Sequence, residues 1–202
     1  MLVNFQQTHL AELHAQNHAT TVISLADELK VPTLPDHLQE FLAHQLDTDT
    51  DFQPWVMPTG HIKVFHSAST NFVSPRDLSG IGFTCHEQIQ SAEHGCGSCP
   101  LFFLLPCTNG LSYSCALVHW FDYITDEPDE LTGMWMPMSS NNRSHHLSVI
   151  HVDATICAMH LIPIFNRQHI PQCITFHNSL DLHCGFYINH FMDHHTFELC
   201  ST

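Results

Sequence analysis

Leu101-Phe-Phe-Leu-Leu-Pro106-Cys-Thr-Asn109-Gly110-Leu-Ser-Tyr113-Ser-Cys115-Ala-Leu117-Val-His119-Trp-Phe121 reads as two strands folded back on each other. Leu101 to Leu105 is an apolar run of strand length. Asn109-Gly110 is a dipeptide favoured in tight hairpin turns. In the second arm Tyr113, Cys115, Leu117, His119 and Phe121 share one face, and Ala116, Val118 and Trp120 share the other. Both faces carry apolar residues, so the arm is expected to lie centrally in a sheet covered on both sides.

Working outward, His61 to Phe65, Gly133 to Met138, Leu147 to Val152 and Ala158 to Phe165 read as further extended segments. Leu34, Leu38, Phe41 and Leu42 recur at helical spacing, which predicts an amphipathic helix from Leu34 to Leu46, with Pro35 in its first turn. The first thirty residues read as loosely helical. Asp47 to Pro58, rich in acids and threonine, reads as a linker. Ser74-Pro75 opens a short helical turn, and Ser139 to Ser144 reads as a turn. Thr84-Cys-His-Glu87 has the form of a capping box, which predicts a helix from Thr84 to about Ala92. Leu180, Cys184, Tyr187 and Phe191 predict another from Ser179 to Phe191. The expected fold class is α+β: a small antiparallel sheet or partial barrel in the centre, with helices at the N- and C-terminal ends. Residues 1–58 form an N-terminal helical segment and linker. Residues 59–202 form a β-rich domain ending in a helix.

Composition limits the function. The 202 residues are 44% hydrophobic and only 12% charged, with 20 acids against 5 Lys and Arg and a formal charge of -15 with neutral histidine. Lys30, Lys63, Arg76, Arg143 and Arg167 are scattered. Phosphate neutralisation depends on clustered bases, so direct nucleic-acid binding is not expected of this acidic chain. The 20 histidines make the net charge climb steeply below about pH 6.5. The start lacks a charged segment followed by an apolar one, and no run approaches the ~20 apolar residues of a membrane span. The expectation is an intracellular protein, nuclear or cytoplasmic, without a membrane partner. Its nine cysteines are then expected as thiols.

Several constellations could carry chemistry. His94-Gly-Cys96-Gly-Ser-Cys99, with Cys107 and Cys85 nearby in sequence, is the best candidate for a tetrahedral zinc. His94, Cys96, Cys99 and Cys107 are its candidate ligands. The opposing reading is ordinary thiols in a glycine-rich turn, with no cofactor. His145-His146 with His151, and His190 with His194-His195, are the other imidazole clusters; helical spacing would set His190 and His194 one turn apart. Asp126-Glu-Pro-Asp-Glu130 could take a hard cation but lacks the glycine and acid spacing of an EF-hand, so a solvated acidic loop is the plainer reading. A Cys/His dyad is conceivable. No nucleophile elbow, phosphate loop or dinucleotide fingerprint is present.

A group of segments occurs in a recognisable order. Phe65-His-Ser-Ala68 and Ser74-Pro-Arg-Asp-Leu-Ser-Gly-Ile-Gly82 come first. Cys115-Ala-Leu-Val-His-Trp-Phe121 and Asp126-Glu-Pro-Asp-Glu-Leu-Thr-Gly-Met-Trp135 follow. Ser148-Val-Ile-His-Val-Asp153, Ala158-Met-His-Leu-Ile-Pro163, Ser179-Leu-Asp181, Tyr187-Ile-Asn189 and Asp193-His-His-Thr-Phe-Glu198 complete the set. Together they resemble the C-terminal region of Plavaka-type transposon proteins of basidiomycete fungi, a CACTA-like group, over Leu34 to Phe197. The resemblance implies a non-catalytic accessory domain that follows the transposase core and contacts DNA, chromatin or the transposase. None of the core's catalytic acids maps onto this chain. Family members carry arginine where this chain has Cys85, His86, Gln90, Cys157 and Cys184. Deamination at methylated CpG converts CG-type arginine codons to those for Cys, His or Gln. The excess of thiol and imidazole then reads as the mark of a mutated, degenerate copy. The alternative is a zinc-binding interaction module built on Cys96 and Cys99.

Overall fold

The two strands read from residues 101–121 form the centre of the fold. This computed structural model describes residues 6–10, 21–45, 58, 60–65, 67–73, 84–90, 101–138, 147–155, 159–165 and 182–191. β5 (Leu101–Pro106) and β6 (Ser112–His119) pair antiparallel, with Phe103 opposite Cys115 and Leu105 opposite Tyr113. The turn between them is closed by Gly110 N–H donating to Cys107 C=O (3.0 Å) and Cys107 N–H donating to Leu111 C=O (2.9 Å). Gly110 takes φ +78°, a left-handed position that glycine fills without steric cost. Asn109 keeps a negative φ and accepts Leu111 N–H on its side-chain oxygen at 2.9 Å. This is the longer hairpin loop with a glycine bulge.

β2 (Lys63–Phe65) and β9 (Leu147–His151) complete a four-stranded antiparallel sheet in the order β2-β5-β6-β9. Its two faces separate with the period of the strand. Val64, Phe103, Leu105, Cys115, Leu117 and Val149 pack on one side against two helices, α1 (Val22–Glu28) and α2 (Leu34–Gln45). Leu25, Ala26, Leu34, Leu38, Phe41 and Leu42 are the buried helical contributors. Phe102, Ala116 and Val152 face the other way, with Phe65, Val118 and Ile150 beside them. There they meet Ala68 of β3 (Ser67–Val73) and Ile89 of β4 (Thr84–Gln90). β3 is the middle strand of a second sheet, β1-β3-β4, whose β1 is Gln6–Leu10. Thus the four-stranded sheet is the middle of three layers. The small residues Ala68 and Ala116 leave room for the fully buried Phe102 ring between the sheets. β3 starts two residues after β2 ends, so one stretch of chain turns the corner from the middle layer to the outer one.

Local signals explain the helices. Thr21 and Ser24 cap α1 reciprocally: Thr21 Oγ1 accepts Ser24 N–H, and Ser24 Oγ accepts Thr21 N–H. At its end Val31 N–H donates to Ala26 C=O and Lys30 N–H to Asp27 C=O, a Schellman closure with Lys30 at φ 56°.

The α+β class with a central antiparallel sheet stands. Within it, the helix expected over Thr84–Ala92 is instead β4, paired residue by residue with β3 from Val73↔Thr84 to Ser67↔Gln90. Residues 6–10, expected as loosely helical, are strand β1. The C-terminal helix expected over Ser179–Phe191 is helical only at Leu182 among the described residues. Phe186–Ile188 form β11, which pairs with β10 (Leu161–Pro163). Of the strand expected over Gly133–Met138, Pro137–Met138 form β8, which pairs with β7 (Asp122–Tyr123). A Met138↔Gly185 bridge, and Ile188 N–H donating to Trp135 C=O, join this ribbon to β11. The turns expected at Ser74–Gly82 and Ser139–Ser144, and nearly all of the linker, lie outside the described residues.

Candidate functional site

Cys107 is the one expected zinc ligand among the described residues; His94, Cys96 and Cys99 lie outside them. It follows β5, bridges Pro58 and is buried in the core against the helices. Its thiol points back along the strand, with Leu105 C=O as its acceptor at 3.9 Å. Six residues of extended strand separate it from Leu101, about 20 Å at strand rise. Leu101 follows Cys99 by two positions in sequence, so β5 carries Cys107 away from that end.

Cys115 is fully buried on the same face, and its Sγ–H donates to Tyr113 C=O at 3.5 Å. Burial pushes its thiol up to about 12, with the Cys107 thiol adding to the effect. Burial raises Cys107 too. The thiolate is the nucleophile and the metal-binding form, so both groups are inert at neutral pH and serve as small apolar packing elements. Cys184, by contrast, is exposed just before β11.

The two described members of the histidine clusters, His151 and His190, sit in separate local structures. His151 Nδ1 accepts Asp153 N–H at 3.2 Å and lies 3.3 Å from the Asp153 carboxylate, capping the 3-10 turn Val152–Ala154. His190 is buried in a turn after β11, its ring 4.0 Å from that of Phe191. The helix that was to set His190 and His194 one turn apart is not formed at His190. His145, His146, His194 and His195 lie outside the described residues. Among those described, no three His, Cys, Asp or Glu side chains gather as metal ligands.

The acidic segment is held by several internal hydrogen bonds. β7 and β8 close a hairpin whose connection carries Asp126, Glu127, Asp129 and Glu130. Asp129 Oδ2 accepts both the N–H (2.9 Å) and the Oγ1–H (2.8 Å) of Thr132. Asp129 N–H donates to Met134 C=O, and Gly133 N–H donates to Asp129 C=O at 2.7 Å. Gly133 takes φ +67° to close this inner turn. Thr125 Oγ1 donates to Glu127 C=O. Asp129 Oδ2 is thus engaged by the loop's own Thr132. Sequence reasoning missed what the loop displays. Leu131 is 95% exposed at its tip, and Tyr123, also exposed, packs its ring against that of Trp135 in a tilted arrangement with centroids 5.0 Å apart. The available signals were Asp129-x-x-Thr132, a side-chain-capped turn, and the glycine that follows it.

No described helix is long and apolar enough to cross a membrane. No protein-family model matches the chain, and comparison with curated proteins and with solved structures gives no match either.

Proposed function

We propose that this chain is a non-catalytic, intracellular accessory domain of a transposon-derived protein, in a copy whose arginines have been eroded to Cys, His and Gln. The ordered segments from Phe65 to Glu198 carry the reading. The packing is consistent with it. Cys107 and Cys115 fill the core as protonated thiols, and His151 and His190 serve separate local structures. Exposed Cys184 occupies a position where an arginine would keep its charge in water.

The contacts of such a domain are with a transposase or a chromatin protein. Loss of five guanidinium groups removes phosphate-binding charge and few stabilising ion pairs, since surface pairs are worth about 0–1 kcal/mol each. The gene tests the idea. Codons at Cys85, Cys157 and Cys184 are expected to be TG-type, and those at His86 and Gln90 CA-type, where related copies have CG. Any other codons there contradict it. Restoring arginine at the five positions together should raise affinity for duplex DNA and steepen its salt dependence. Unchanged binding would leave those arginines without a role in DNA contact.

The second reading, a zinc-binding module on Cys96 and Cys99, rests on their Cys-x-x-Cys spacing alone, because Cys107 belongs to the core.

A further inference from the structure

β9 ends where the chain is pinned between the two sheets. Val152, the next residue, is fully buried there with Phe102 and Ala116. The 3-10 turn Val152–Ala154 that seats it is closed by Thr155 N–H donating to Val152 C=O at 2.9 Å. An imidazole caps the start of that turn. His151 Nδ1 accepts Asp153 N–H at 3.2 Å, and the same atom lies 3.3 Å from the Asp153 carboxylate. A ring nitrogen accepts a hydrogen bond only when it carries no proton, and donates one only when it does. The two partners therefore exclude each other, and a proton chooses between them. The His151 side chain is 33% exposed, so solvent can deliver that proton. Accepting at Nδ1 also fixes the neutral ring as its Nε2–H tautomer. Of the titratable groups on the elements packed here, Cys115 stands directly opposite on β6, with Tyr113 next along that face and His119 at the far end, opposite Leu147. α2 brings the partly buried His37 and the exposed Asp36, Glu40 and His44, and β1 carries His9. The test therefore reads the His151 ring and the Asp153 amide themselves.

We propose that His151 and Asp153 form a proton-driven switch of this cap. Unprotonated, Nδ1 holds the Asp153 amide and caps the turn that seats Val152. Protonated, Nδ1–H donates to the Asp153 carboxylate, and the amide is released to solvent. The switch acts where β9 passes the chain into the seam between the sheets, and it does not depend on the origin proposed above.

Nuclear magnetic resonance on the isotopically labelled full chain tests it between about pH 8 and pH 5, the range in which imidazoles change charge. At the alkaline end the His151 ring should carry its proton on Nε2. As the ring gains its second proton, the protection factor of the Asp153 amide should fall about fivefold in step, the loss of one hydrogen bond. His151→Asn supplies a side-chain oxygen that caps the same amide without titrating, so Asp153 protection should then be independent of pH. At the acid end the His151 Hδ1 proton should exchange slowly with water, and Asp153→Ala should release it. A neutral ring with its proton on Nδ1 overturns the proposal. So does Asp153 protection that is unchanged through the His151 titration, or that falls equally in His151→Asn. An Hδ1 proton that Asp153→Ala leaves unaltered overturns it too.

Discussion

The chain contains two hairpins of opposite construction. β5–β6 has long arms, a short turn and apolar residues on both faces, one buried by helices and the other by a second sheet. β7–β8 has two-residue arms around a long acidic connection, and polar side chains tie that connection to its own backbone. Tertiary burial holds the first in place, whereas local capping holds much of the second. The first hairpin gives the fold its rigidity. The second is tied to β11 at its arms and leaves Tyr123, Ile124 and Leu131 exposed.

Truncating a large apolar residue in each hairpin should separate the two most sharply. Phe103→Ala removes a fully buried ring between helices and sheet, and should cost about 3–5 kcal/mol in urea denaturation. Leu131→Ala should stay within about 0.5 kcal/mol of the parent. A comparable loss at both sites would mean that the loop packs more closely than its exposure indicates.

Alkaline pH should probe the buried thiols of the first hairpin. The Cys115 thiol ionises near 9.0 when unfolded but near 12 when folded, because burial opposes the thiolate. Its contribution to stability is therefore complete below about pH 9 and is lost as pH rises towards 12. Denaturation midpoints should fall across that window, and Cys115→Ala should flatten the fall. A decline of the same size in the variant would assign it to other groups.

The parts of the fold legible in sequence were those whose pattern agrees with their burial. Residues 101–121 alternate as they pack, and Leu34, Leu38, Phe41 and Leu42 recur as the buried stripe of α2. The misread segments are those in which distant pairing outweighed a local signal. Thr84 and Glu87 match a capping box, yet the pairing partner Ser67–Val73 makes the segment a strand. Near the tail, Leu180, Cys184, Tyr187 and Phe191 suggested a helix. The buried apolar residues among those described there are Phe186 and Ile188, spaced as in a strand and paired to Pro163 and Leu161. Of the candidate site, sequence supplied the acids of the loop. That Asp129 caps the loop through Thr132, and that Leu131 is left in water, are visible only in the folded structure.

The turns offer a smaller test. Gly110→Ala places a side chain at φ +78° in the turn that sets the β5–β6 register, and should cost about 1–2 kcal/mol of global stability. Asp129→Ala removes two exposed hydrogen bonds from the second hairpin. It should cost about 1 kcal/mol or less globally while speeding hydrogen exchange at Thr132, Gly133 and Met134. Exchange that quickens equally in β5 and β6 would show that the two hairpins unfold as one unit.

The metal content of the purified full chain tests the central claim most directly. If the thiols and imidazoles are remnants of lost arginines, elemental analysis should find zinc well below one equivalent, at a level unchanged by Cys96→Ser with Cys99→Ser. One zinc per chain, released by that double substitution, would contradict the account and leave the zinc module as the function.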